Sequence, residues 1–329
     1  SNTVAGLPTE LRMPELVTIH EFGHQYFMGM IANNEFEEPW LDEGLTTYME
    51  ARIMDETYGP QSSGFDMFGF HAGNGEIKRS LYINAPNPKI APVLTKPWEM
   101  PSGSYFMLTY QKPAVWLRTL ENLVERPVMD KILSTYYQRW RFKHPKTQDF
   151  IQVVNEVVRR EHGYKLGSDM HWFFDQMLHE TTTCDYKLAD IKVERLNRSF
   201  SMPSMEDVKG VFSSSGDKDA KKEKPKYRSE VHIHRMEEVQ VPLEIRVLFD
   251  DDTQEVRRWD GKDRVHTLVF EGNHKVVQAE IDPEQKIWID TNINNNSFTH
   301  SPRKLPVWKY MLQFLFWVQN VLQFAAIPA

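Results

Sequence analysis

The residues with the clearest chemical meaning stand near the start of the chain: His20, Glu21, His24 and Glu43. Residues four positions apart on a helix lie about 40° apart around its axis and about 6 Å apart along it, so both imidazoles can reach one ion. The chain between His24 and Glu43 is long enough to end that helix, turn, and return a carboxylate on a second helix. Two His and one Glu leave a fourth position open on zinc, which is typical of a catalytic site.

Glu21 is rotated about 100° from His20 around the same helix. Its carboxylate can therefore overhang a zinc-bound water without binding the metal, as a general base does. The alternative interpretation is a pair of hydrogen-bonded core histidines with Glu43 on the surface. Apolar neighbours predict instead a buried helix, where unpaired polar side chains would be costly. These neighbours are Leu16, Val17, Ile19, Phe22, Phe27, Met28 and Ile31.

Three segments together resemble the gluzincin metallopeptidases of the aminopeptidase N and leukotriene hydrolase type. They are His20-Glu-Phe-Gly-His24, Trp40-Leu-Asp-Glu43-Gly, and the stretch from Thr109 to Glu121. The resemblance implies a zinc-dependent peptidase and favours removal of N-terminal residues. It also implies a tyrosine that stabilises the oxyanion, and Tyr110, followed by Gln-Lys, is the matching position. Tyr105 is the rival, but it lacks this Gln-Lys sequel.

Two features of that family are missing from this sequence. The Gly-x-Met-Glu-Asn motif, whose glutamate binds the substrate amine in the family, does not occur. Residues 1–13 are also too few to form the β-sheet that lies above the zinc helix of a zincin. We therefore expect a missing N-terminal part of a longer protein, and weak or no peptidase activity from this chain alone. The alternatives are a thermolysin-like neutral endopeptidase and a non-catalytic, zinc-stabilised binding or scaffold module.

A second carboxylate, Glu50, follows Glu43 by two turns of a helix predicted from Pro39 to Tyr58. A metal-bound histidine usually donates its second ring nitrogen to a carboxylate or a carbonyl, and Glu50 is suited to accept it. The alternative is that Glu50 faces solvent. The sequence thus predicts one zinc ion per chain, with His20, His24 and Glu43 as ligands and Glu50 behind them.

The overall pattern predicts an α+β multidomain chain. Residues 1–180 are assigned to the mostly helical lower half of a thermolysin-like zincin catalytic domain. Within it, 59–103 is predicted to be an irregular loop that lines the cleft. Helices are predicted to begin at Ser104, Pro127, Thr147 and Ser168. Residues 181–300 are assigned to a small β-sandwich, because 185–194, 229–235, 240–249, 265–270 and 276–281 alternate apolar and polar residues. The charged segment 201–228 predicts a flexible insertion.

The last segment, 301–329, predicts an amphipathic helix over 305–327. Its polar stripe favours docking on the rest of a longer protein first, an interfacial membrane anchor second and a bilayer span third. This helix favours the cell envelope or a membrane surface over the cytoplasm. A net charge of −7 argues against nucleic acid as a partner, so a peptide or protein substrate is expected. The single cysteine, Cys184, excludes an internal disulfide.

Overall fold

A computed structural model describes residues 11–67, 69–196, 225–300 and 304–325. Helices dominate up to residue 179, and strands dominate from residue 186 to residue 299. The mixed helix and sheet content expected from the sequence is confirmed. The division into domains stays a prediction, since buried apolar residues of the helices and of the sheets form one continuous cluster.

The helical part begins with α1 and α2, which carry the predicted metal ligands. Its helices are α1 (Met13–Gly23), α2 (Glu43–Tyr58), α3 (Asn74–Ile83), α4 (Lys112–Val124), α5 (Arg126–Trp140), α6 (Thr147–His162) and α7 (His171–Phe174). A 3₁₀ turn, Pro39–Leu41, leads into α2. One π-helical turn, Met107–Gln111, precedes α4, and another, Asp175–His179, follows α7. A short hairpin, β1 (Phe65–Met67) and β2 (Phe70–Ala72), precedes α3.

Helix α1 corrects one expectation. Its apolar residues predicted a buried helix, yet none of its residues is buried. Val17 is 46% exposed and Phe22 is 62% exposed. Within the described residues α1 packs on α2, where a Cβ at Gly23 would lie 2.8 Å from Cγ2 of Thr46. Apolar composition predicted burial, but the side of α1 away from α2 has no cover in this part of the chain.

The start of α2 is fixed by a buried aromatic cluster. Trp40 is fully buried, and its ring lies 5.2 Å from that of Trp116 and 5.7 Å from that of Phe150. Its Nε1 donates a hydrogen bond to Oγ1 of Thr147, at 2.9 Å. Thr147 was predicted to cap α6, but its hydroxyl is the acceptor for Trp40. This bond connects the turn before Glu43 to a distant helix, and so holds the metal-binding end of α2 in place.

Two predicted helices contain π turns. The helix expected from Ser104 to Glu125 includes the π turn Met107–Gln111 before α4. The helix expected from Ser168 is the short α7 followed by the π turn Asp175–His179. Segment 59–103 was predicted to be irregular throughout, but it contains the hairpin and the ten-residue helix α3. Phe68, a residue of this segment, lies outside the described residues.

The strands form two antiparallel sheets. They are β3 (Tyr186–Arg195), β4 (Tyr227–Arg235), β5 (Leu243–Phe249), β6 (Gln254–Trp259), β7 (Val265–Gly272), β8 (Val276–Ile281) and β9 (Ser297–Thr299). The sheet orders are β3-β4-β7 and β6-β5-β8-β9. The five predicted strands correspond to β3, β4, β5, β7 and β8, whereas β6 and β9 were missed. The predicted insertion 201–228 lies mostly outside the described residues, but Tyr227 and Arg228 belong to β4.

The final helix, α8, spans Lys304–Ala325. Every side chain from 308 to 319 is exposed, including Trp308, Phe314 and Trp317. Among the described residues, no helix combines the length and the apolar character needed to cross a membrane.

Candidate metal centre

The predicted ligands meet where α1 and α2 cross. His20 lies in the last turn of α1, His24 caps the end of that helix, and Glu43 is the first residue of α2. Oε2 of Glu43 lies 3.1 Å from Nε2 of His20 and 3.3 Å from Nε2 of His24. One ligand atom from each of the three residues lies within 4.8 Å of the others. The structure therefore brings together the three side chains that the sequence singled out.

The geometry of these atoms fits one zinc ion. Donors about 2.0–2.1 Å from a tetrahedral zinc are about 3.3 Å apart, close to the separations between Glu43 and the two histidines. Two imidazole nitrogens and one carboxylate oxygen are also a donor set that zinc accepts while leaving a fourth position open. The residues present therefore fit a catalytic rather than a structural zinc site.

A carboxylate stands behind each histidine. Nδ1 of His20 lies 3.0 Å from Oε2 of Glu50, and Nδ1 of His24 lies 2.6 Å from Oδ1 of Asp42. A carboxylate that accepts from Nδ1 orients the ring so that its Nε2 faces the metal position, and that nitrogen would bind a metal in its unprotonated form. Glu50 was the carboxylate expected behind the ligands, and the structure places it against His20. Asp42 was missed, although it directly precedes Glu43 at the N-cap of α2.

The charges of the site shift the ionisation of its members. Burial lowers the pKa of His20, but hydrogen bonds to Glu43 and Glu50 outweigh it and raise that pKa to about 9. Burial raises the pKa of Asp42 to about 6, against the opposing effect of His24. Burial raises the pKa of Glu43, but hydrogen bonds from His20 and Tyr110 outweigh it and leave that pKa below its usual value. Without a metal, protons therefore hold these groups together, and a cation would displace the proton on His20.

Tyr110 is the tyrosine that reaches the ligands. Its ring stacks on His20 with 5.9 Å between centroids, and its hydroxyl hydrogen-bonds to Glu43. Burial and this carboxylate raise the pKa of Tyr110, so its hydroxyl keeps its proton and can donate it in a hydrogen bond. The rival, Tyr105, packs edge-on against the Tyr110 ring, with 6.3 Å between centroids. The geometry agrees with the preference for Tyr110.

Close packing sets the distance between Tyr110 and α2. A Cβ added at Gly44, next to Glu43, would lie 2.6 Å from Cβ of Pro113 and 3.2 Å from the carbonyl oxygen of Thr109. The absence of a side chain at Gly44 thus lets α2 approach the π turn that carries Tyr110. Such π turns often occur at functional sites.

Glu21, the predicted general base, lies beside His20 on α1 with an exposed side chain. This exposure leaves its carboxylate in contact with water, and its place next to His20 in the last turn of α1 keeps it near the ligands along the chain.

Comparison with known proteins relates the chain to one peptidase family. The family model described as "Peptidase family M1 domain" matches residues 8–177, just over half of the chain. Leucine aminopeptidase 2 of Neosartorya fischeri is 23% identical over 210 residues, which are 60% of this chain and 33% of that protein. Aminopeptidase RNPEPL1 of Mus musculus is 32% identical over 135 residues, which are 40% of this chain and 18% of that protein.

A solved structure supports the fold. The crystal structure of Legionella pneumophila aminopeptidase A in complex with aspartic acid aligns with a TM-score of 0.50 and 12% identity, covering 84% of this chain and 26% of that chain. At this identity the likeness concerns the fold alone. The chain spans a third or less of the length of the relatives named here.

Proposed function

The chain belongs to peptidase family M1, and from this premise we propose that it forms the metal-binding part of a zinc-dependent aminopeptidase. The observation that carries the proposal is the convergence of His20, His24 and Glu43 on one position with Tyr110 beside it. His20, His24 and Glu43 would hold the ion. Glu50 and Asp42 would keep the two imidazoles oriented.

The reaction is hydrolysis of a peptide bond. A bound zinc ion would supply Lewis-acid polarisation of the scissile carbonyl and a more acidic water. Glu21 takes the proton of the attacking water and passes it to the leaving amine. Tyr110, which stays protonated at neutral pH, donates a hydrogen bond to the developing oxyanion. Each of these side chains is supplied by this chain, on α1, α2 or the π turn.

Aminopeptidase action is favoured over endopeptidase action because relatives across the matched region bear that name. A non-catalytic scaffold would not need Glu21 or Tyr110, and both are present beside the ligands. We also propose that residues outside this chain cover the open side of α1 in a longer protein, because Val17 and Phe22 are exposed there.

The test is hydrolysis by the longer protein of one peptide with a free N-terminus and of the same peptide acetylated. We expect cleavage of the free peptide alone, and a fall in kcat of about 10²–10⁴-fold for Glu21→Gln with zinc still bound. Cleavage of the acetylated peptide at a similar rate would show an endopeptidase. If Glu21→Gln cleaved as fast as the unaltered protein, the assigned base would be wrong.

A further inference from the structure

Glu50 bridges His20 to a lysine on a third helix, α3. One carboxylate oxygen, Oε2, lies 3.0 Å from Nδ1 of His20, and the other, Oε1, lies 3.0 Å from Nζ of Lys78. Glu50 is 2% exposed and the side chain of Lys78 is 12% exposed. We propose that Lys78 is a positioning residue for the metal centre, which acts through Glu50 on His20.

The physical need for Lys78 follows from the burial of Glu50. A carboxylate taken out of water is costly unless a cation and hydrogen bonds compensate it. His20 cannot provide that cation once its Nε2 binds a metal and its ring is neutral. Within the described residues the ion pair of Lys78 is to Glu50 and not to a metal ligand, so metal binding does not require Lys78 to move. It thereby holds Glu50 as an oriented acceptor for His20 whether or not a metal is bound.

Lys78 is itself held in place by the packing of α3. The backbone N–H of Asn74, the first residue of α3, donates to Oγ of Ser63 at 2.7 Å. A Cβ at Gly75 would lie 2.8 Å from the ring of Trp288, a residue of the chain segment between β8 and β9. Since α3 is fixed at both contacts, the position of Nζ of Lys78 is restricted. The packing of α3 therefore holds Lys78 in its position next to Glu50.

In the described ion pairs, no lysine pairs with the carboxylate that lies behind His24. Asp42 stands behind His24 with 2.6 Å between Oδ1 and Nδ1, and within the described residues its ion pair is with His24. The two imidazoles are therefore supported differently, with a lysine behind the carboxylate of His20 alone. We expect the zinc affinity to be sensitive to Lys78 for this reason.

The experiment measures zinc affinity of the 329-residue chain by competition with a chromophoric chelator. Lys78→Met should weaken zinc binding about tenfold, the lower range for loss of a group that orients a ligand. Lys78→Arg should restore most of it, because a cation returns to Glu50. The matched control is Lys89→Met, which removes a lysine whose Nζ lies 2.5 Å from Glu237 on the surface; it should leave zinc affinity unchanged.

A double variant distinguishes positioning through Glu50 from a merely structural role of Lys78. Because Lys78 acts through Glu50, Lys78→Met combined with Glu50→Gln should bind zinc no more weakly than Glu50→Gln alone. Full additivity would overturn the proposal, as would unchanged affinity in Lys78→Met. If Lys78→Met does not fold by circular dichroism, Lys78→Gln replaces it with the same expected outcomes. The inference rests on the proposed zinc site: no zinc binding by the unaltered chain would refute that site, whereas normal binding with no Lys78 effect refutes the inference alone.

Discussion

Zinc binding to the metal-free chain should depend steeply on pH, because His20 must lose its proton before Nε2 can bind the ion. The carboxylates of Glu43 and Glu50 outweigh the burial of His20 and raise its pKa to about 9. At pH 7 about one His20 in a hundred is then neutral, so the affinity is about 100-fold below its value above pH 9. Through that interval His20 contributes about a tenfold gain in affinity per pH unit.

Glu50→Gln should change the shape of this profile as well as its height. Loss of the carboxylate should weaken zinc binding about 10–100-fold at pH 9, where about half or more of His20 is neutral in both proteins. The same change lowers the pKa of His20, since one of its two anionic partners is gone. Less proton competition then remains at pH 7. The ratio of the two affinities should therefore shrink as the pH falls, by about tenfold for each unit by which the pKa drops.

The assay is competition with a chelator of known pH dependence, between about pH 7 and pH 9. The matched control is Glu237→Gln, which alters an ion pair to Lys89 on the surface and should give the unaltered profile. Parallel profiles for Glu50→Gln and the unaltered chain would refute the reasoning, because they would show that Glu50 does not set the pKa of His20.

The stability of the metal-free protein should change in the opposite direction. His20 has a higher pKa in the folded state than its ordinary value of 6.5, so its ion pairs stabilise the fold fully below pH 6.5. That contribution is lost as the pH rises through about 9. Thermal unfolding in the presence of a chelator should therefore show a falling Tm over the interval in which zinc affinity rises. A Tm that is constant or rises across that interval would contradict this assignment.

Three further predictions concern other parts of the structure. Tyr110→Phe in the longer protein should lower kcat about 10²–10³-fold, whereas Tyr105→Phe should change kcat only a few-fold. Equal effects of the two variants in steady-state kinetics would refute the assignment of the oxyanion-stabilising role to Tyr110. Gly44→Ala should lower the free energy of unfolding, measured in urea, by about 1–3 kcal/mol through overpacking. The control Gly272→Ala should have little effect, because no atom lies within 4 Å of the added Cβ. A similar loss of stability in both variants would refute the packing argument. Removal of residues 304–329 should reduce light scattering and dye binding at high concentration, because α8 exposes a long apolar surface; unchanged scattering would show that α8 does not drive association.

The convergence of His20, His24 and Glu43 was largely predictable because it depends on local spacing. A helix fixes the relation of His20 to His24, and a turn followed by a second helix returns Glu43. Glu50 follows from the same periodicity along α2. The supporting residues on other elements were not predictable in this way. Lys78 lies in a segment whose Gly and Pro content suggested an irregular loop, and its contact with Glu50 depends on tertiary packing.

Burial and helix type were the weaker predictions. Apolar residues on several sides of α1 suggested a core helix. Burial depends on what lies against each side, however, and α1 packs mainly on α2 within the described residues. The π turn under Tyr110 has no local sequence signature. The preference for Tyr110 rested on the Gln-Lys sequel instead, and it agrees with the contact between the rings of Tyr110 and His20.

The unequal burial of α1 and α2 has a kinetic consequence. Two of the three ligands belong to a helix without buried residues, whereas the third begins a helix anchored through Trp40. Local opening of α1 would then be the easiest route for a bound metal to leave, and a bound ion would hold this helix against α2. Amide hydrogen exchange over 13–23 should slow markedly when zinc binds, whereas exchange in α6 should hardly change. The residence time of the metal would be set by fraying of one exposed helix.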